Sequence, residues 1–194
     1  MLPLNARHQL WIAFALALAM LVTRGQHVAD LAHPLPDASL AVFFLAGLYL
    51  TPVWGFAAFF AGAFAIDLAA VGWGGVSAYC LSPAYLLLVP AYGAMWAAGR
   101  WYARRYRPAW DSLYALGASL WLAVTAAEAL ASGGFYLFSG RFTDLSLAGL
   151  GERLITYFPQ TLSALALYIG LALLVHIALL VLSGAGRRMS PRGH

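Results

Sequence analysis

Arg100-Trp-Tyr-Ala-Arg-Arg-Tyr-Arg107 is the stretch that decides how this chain is laid out. It packs four arginines among aromatic residues, between apolar runs on both sides. Hydrophobic residues make up 63% of the 194-residue chain and charged residues only 9%. A soluble domain is about half apolar and a quarter charged. The composition therefore predicts an integral membrane protein. No stretch outside the apolar runs exceeds about 15 residues, too short for a soluble core. In that setting the basic aromatic run reads as an interfacial anchor on the cytoplasmic side. It carries no aromatic-basic RNA motif, and no nucleic-acid partner is expected.

All eleven positive charges are arginine. Arg7, Arg100, Arg104, Arg105, Arg107, Arg187, Arg188 and Arg192 fall in the N-terminus, one central loop and the C-terminal tail. Only Arg24, Arg141 and Arg153 fall in the other connections. The positive-inside rule assigns the larger group to the cytoplasm. The pI near 9.5 then reports orientation and contact with anionic membrane lipid. Six spans of roughly 20 residues satisfy hydropathy and the arginine split together. They are placed near 9–27, 37–51, 53–71, 83–102, 112–137 and 153–183, with both termini cytoplasmic. The expected fold class is an all-α, polytopic six-helix bundle forming a single membrane domain over 1–194. The first apolar run is read as a retained span, because no small-residue cleavage site follows it. Pro52 marks a tight turn between spans two and three. The short second span admits a re-entrant alternative, which the even number of crossings opposes.

Polar residues gather in three outer loops, at 24–37, 72–82 and 139–153. Asp67 lies inside the third span, about one helical turn before the second loop. A carboxylate at membrane depth is expensive and usually faces a cavity or a partner. A ligand pocket and a structural bond to a neighbouring helix are its two readings. Glu128 in the fifth span receives the same treatment with fewer polar companions in view. The spacing of His27, Asp30, His33 and Asp37 fits no zinc pattern, and a solvated loop is the better account. His176 in the sixth span is expected to bond another helix. The single cysteine, Cys80, cannot form an internal disulfide. Its thiolate is a soft ligand and a nucleophile, although free cysteine is commonly a small packed hydrophobe. No serine-hydrolase elbow, metalloprotease His pair or Walker A sequence is present, so no enzyme is expected. Ala13/Ala17 and Ala15/Ala19 form small-xxx-small pairs on the first span, a spacing that lets another helix approach.

The stretch Asp67…Trp73-Gly-Gly75…Tyr79-Cys80-Leu-Ser-Pro-Ala-Tyr85, with Arg153 distant from it, resembles the solitary cobalamin transporters of the BtuM family. In length, span count and alanine-rich first span, the whole chain resembles the substrate-binding S-components of energy-coupling factor (ECF) vitamin transporters. That resemblance implies a transporter of the bacterial cytoplasmic (inner) membrane with a pocket open to the periplasm. It implies substrate binding by Cys80, Asp67, Tyr85, Arg153, Trp73 and Tyr79, and docking through Ala13 and Ala17 onto a coupling module of transmembrane subunit and ATPases. A shared module and action without one are both open. No cofactor of its own is expected; cobalamin is the transported ligand. The chemistry agrees, since cobalt accepts a thiolate as axial ligand, which makes Cys80 the expected cobalt ligand. A corrin ring needs an apolar and aromatic wall with a few polar contacts. Thiolate-assisted loss of an axial cyanide is a conjecture from the same chemistry. The alternatives are an S-component for another small vitamin, or a non-transport membrane assembly or sensor protein.

Overall fold

The computed structural model describes residues 5–29, 35–74, 82–107 and 111–182; for 27–29, 180 and 182 it describes the backbone alone. Among these residues the chain is all-helical. Helix α1 covers Ala6–Ala29, α2 Ser39–Tyr49, α3 Trp54–Trp73, α4 Leu88–Arg105, α5 Asp111–Phe138 and α6 Leu147–Leu182. A 3-10 turn over Pro83–Leu87 leads into α4. Helices α1, α3, α5 and α6 are long and apolar enough to cross a membrane. The protein is a multi-pass membrane protein.

Helix α2 is the exception in length and the centre in packing. Its 11 residues rise only about 16 Å, roughly half the hydrocarbon thickness. Phe43, Phe44 and Ala46 are completely buried. A short helix is tolerated at that depth because protein, not lipid, surrounds it. Phe43 stacks on Tyr92 of α4 with centroids 4.4 Å apart, and it meets Phe56 and Phe59 of α3 edge-on or tilted. Outward faces are apolar instead. Leu10, Trp11, Phe14, Leu18 and Leu21 of α1 are exposed, as are Leu167, Leu171 and Leu174 of α6. That inversion is what a hydrocarbon solvent selects.

Two glycines set the α2–α4 crossing. A Cβ on Gly47 would stand 2.2 Å from the Trp96 carbonyl oxygen, and one on Gly99 would stand 2.1 Å from that of Phe44. The backbones touch at both points, so each position excludes a side chain. The tight turn after α2 is tied down by the same partner helix. Arg100 donates to the carbonyls of Leu50 at 2.6 Å and Thr51 at 2.8 Å. Gln9 Oε1 accepts from the Thr51 amide and hydroxyl. Arg105 stacks on Trp101 at 4.3 Å, as an interfacial anchor would.

Two boundaries differ from the sequence-based expectation. Arg24 belongs to α1 rather than to a loop, because the helix continues to Ala29. Helix α6 starts six residues before the expected position 153, so Glu152 and Arg153 are helical. Ser146 begins that extension by accepting the Gly149 amide on its hydroxyl, the usual way a serine starts a helix. Tyr136 fixes the preceding loop, donating to the Asp144 carbonyl at 3.0 Å and accepting from the Ser146 amide at 2.9 Å.

Candidate functional site

The end of the bundle opposite the Arg100–Arg107 turn gathers the C-terminal parts of α1 and α3 with the start of α2. The 3-10 turn, the start of α4, the middle of α5 and α6 after Pro159 join them. Together they enclose a cavity of about 890 Å³. That is near the top of the range for small-molecule sites, roughly 300–1,000 Å³. Leu40, Ala70, Leu88, Ala127, Ala131, Phe135 and Leu165 provide apolar wall, and Arg24, Asp37, Asp67, Tyr85, Tyr92 and Glu128 provide polar wall.

One guanidinium organises the polar wall. Arg24 Nε and Nη2 donate to the two oxygens of Asp67 at 2.7 and 2.6 Å. Its Nη1 reaches the Tyr92 hydroxyl at 2.8 Å, Ser39 Oγ at 3.0 Å and Asp37 at 3.4 Å. Tyr85 donates its hydroxyl proton to Asp67 Oδ2 at 2.8 Å. Five elements thus converge on Arg24: α1 itself, the residues opening α2, α3, the 3-10 turn and α4. The structural bond to a neighbouring helix expected of Asp67 is present, and the same carboxylate faces a cavity. Arg24, Ser39 and Tyr92 are members that the sequence did not single out, and Arg24 is the one that joins the others. Its offset from the other basic residues is visible in the sequence, but a separation of 43 positions from Asp67 gives no local signal of pairing.

Glu128 is buried and also lines the cavity. The expectation of few polar companions is corrected here. Ser132, one turn further along α5, donates to Glu128 Oε1, and Thr161 of α6 donates to Oε2 at 2.9 Å. Pro159 removes one backbone donor from α6 just before Gln160 and Thr161, where neighbouring helices in a membrane can accommodate the loss.

The other expected site residues are scattered. Trp73 ends α3 and is 85% exposed, outside the cavity wall. Arg153 sits among the rings of Phe135, Phe142 and Tyr157, with its carbon Cζ 4.7–5.6 Å from their centroids; its Nε is buried without a hydrogen-bond partner. It is not part of the cavity wall, although Phe135 belongs to both. Tyr79 and Cys80 lie outside the described residues. The chain on either side of them does line the cavity, through Ala70 before and Tyr85 after. Ala13 packs against the core, whereas Ala17 faces outward.

Of the four-residue histidine and aspartate pattern, Asp30 and His33 lie outside the described residues, and only the backbone of His27 is described. Asp37 accepts from the Ser39 amide and hydroxyl at the start of α2. Among the described residues no group of three potential metal ligands exists. At the arginine-rich end, His176 lies between Tyr49 and Tyr106, with Nδ1 3.2 Å and Nε2 3.5 Å from their hydroxyls. These three side chains border a smaller cavity of about 200 Å³, otherwise walled by residues such as Phe44, Leu48 and Ile169.

No protein-family model matches the chain, and no curated protein matches it significantly.

Proposed function

We propose that this protein takes up cobalamin across the bacterial cytoplasmic membrane, binding the corrinoid in the large cavity with Cys80 as cobalt ligand. The observation that carries the proposal is the cavity itself: about 890 Å³, at the end of the bundle from which the Cys80 segment departs and returns. Its volume suits a large ligand, and its apolar wall suits the faces of a corrin ring. Asp67 and Glu128 are placed to accept hydrogen bonds from peripheral amides. Tyr85, eleven positions after Gly74, brings the return of that segment to the wall.

In this proposal the chain crosses the bilayer six times, with the short α2 completing its crossing through the residues on either side of it, α2 and α4 shielded by the other helices, and both termini cytoplasmic. The arginine split supports that orientation, and the cavity then opens to the periplasm. Cobalamin is the transported ligand and not a cofactor, and the protein is a transporter and not an enzyme. The face of α1 bearing Ala17, with Ala13 at its edge, is the docking surface for any coupling module. The alternative of another small vitamin is disfavoured by a cavity this large.

Purification from cells supplied with cobalamin tests the proposal. The protein should emerge coloured, with one corrinoid per chain and an absorption spectrum distinct from free cobalamin. A colourless protein that also fails to bind added cobalamin overturns it.

A further inference from the structure

Among the described residues, the polar wall of the large cavity is rich in acceptors and has no cation beyond one that is already paired. Arg24 is the single cationic residue among its described lining residues. Its charge is already engaged: Arg24 forms a two-bonded pair with Asp67 through Nε and Nη2, and Nη1 serves Asp37, Ser39 and Tyr92. Three carboxylates share the wall with it. An ionised carboxylate has about four lone-pair sites. Asp67 receives three donors, two from Arg24 and one from Tyr85. Asp37 also receives three, from Arg24 Nη1 and from the Ser39 amide and hydroxyl. Glu128 receives two, from Ser132 and Thr161. By this count roughly one site remains on each aspartate and two on Glu128. Three acids against one base leave two net negative charges when all are ionised.

Glu128 differs from the two aspartates in one respect. Asp37 and Asp67 both pair with Arg24, whereas among the described residues Glu128 is held by two neutral hydroxyls. When ionised, a carboxylate this deep and held only by neutral hydroxyls repels a second carboxylate brought beside it more strongly than it would in water.

We infer that the cavity selects its ligand by N–H donors and rejects anionic groups presented to this wall, with Glu128 as the specificity-determining residue. Ligands of the matching class are neutral or cationic and rich in primary amides. The inference deepens the corrinoid proposal and rests on it for its probes.

The test compares three probes on the purified full-length protein by calorimetric titration. They are cobalamin, the set of its monocarboxylic acids made by hydrolysing one peripheral amide at a time, and the methyl esters of those acids. At least one acid should bind about tenfold or more weakly than cobalamin, which is 1.4 kcal/mol or more. Its ester, neutral but without the N–H donors, should fall between the two. Glu128→Gln should narrow the gap between that acid and cobalamin. The wild-type series decides the matter even if the variant does not fold. Equal binding of every acid and cobalamin overturns the inference and leaves the corrinoid proposal standing. An ester as weak as its acid also overturns it, because the negative charge would then add nothing to the loss of the N–H donors and the change of shape. If cobalamin itself does not bind, both fall.

Discussion

Arg24 of α1 and Asp67 of α3 form a two-bonded ion pair, with Nε and Nη2 each facing one carboxylate oxygen at 2.7 and 2.6 Å. The side chains are only 12% and 17% exposed. Planar guanidinium and planar carboxylate match each other in this fork geometry, which a lysine would not reproduce. The pair fixes the position of Asp67 in the cavity wall and, through it, the Tyr85 hydroxyl.

The two partners are not equivalent, and that asymmetry is measurable. Arg24→Gln leaves Asp67 as a buried carboxylate held only by Tyr85 among the contacts described above. Loss of one partner from a buried pair costs about 3–5 kcal/mol. Asp67→Asn keeps an acceptor for Arg24, which also retains Asp37, Ser39 and Tyr92. Its cost should be smaller, about 1–3 kcal/mol. Thermal unfolding in detergent should therefore rank wild type above Asp67→Asn and Asp67→Asn above Arg24→Gln. The double variant Arg24→Gln/Asp67→Asn should be more stable than Arg24→Gln alone, since no unpaired charge remains at buried position 67, and Asp37, which also loses Arg24, is half exposed. A double variant less stable than either single one contradicts this account.

The crossing of α2 and α4 makes a sharper demand. Gly99→Ala would put a methyl group 2.1 Å from the Phe44 carbonyl oxygen, and Gly47→Ala one 2.2 Å from that of Trp96. Neither contact is with a flexible side-chain tip, so the helices must separate. Overpacking costs typically 1–3 kcal/mol and more where backbone must move. Both variants should show a lowered unfolding midpoint and reduced yield from the membrane. Gly72→Ala serves as control, since a Cβ there meets nothing within 4 Å.

These glycines also show where the sequence was opaque. The alanine pairs of α1 stand out in the sequence, because small-xxx-small spacing is a local pattern. The close approach lies elsewhere, at Gly47 and Gly99, 52 positions apart, and no local pattern links them. The helical class, the apolar exterior and the importance of Asp67 followed from composition and from the cost of charge in hydrocarbon. Arg24 was misplaced because the glycine after it and the nearby histidine resemble a loop, whereas α1 continues through them. The early start of α6 was hidden by Gly149 and Gly151, both weak helix formers, inside a helix that Ser146 caps. Trp73 resembled cavity wall in sequence, yet its place at the end of α3 leaves it exposed.

Orientation in the membrane is open to direct measurement. Reporter fusions at Arg105 and after Arg188 should read cytoplasm, and a fusion near Thr143 should read periplasm, as the eight-to-three arginine split requires. A periplasmic reading at Arg105 would put the large cavity on the cytoplasmic face and remove the route proposed for uptake.

Cys80 provides the most specific prediction. A thiolate is a strong soft donor to cobalt, and metal binding releases the thiol proton. If its sulfur takes one axial position, the nucleotide base of cobalamin leaves the metal. Axial ligation dominates the visible spectrum of a corrinoid, so the wild-type complex should differ in colour from cobalamin in water. Cys80→Ala and Cys80→Ser should abolish that difference and reduce uptake when external vitamin is scarce. Serine separates ligation from packing, because it nearly preserves volume while replacing a soft donor by a hard one. A Cys80→Ser complex with the wild-type spectrum means that sulfur is not on the metal. Cys80 is then a packing residue, and the case for a corrinoid rests on the cavity and its carboxylates alone.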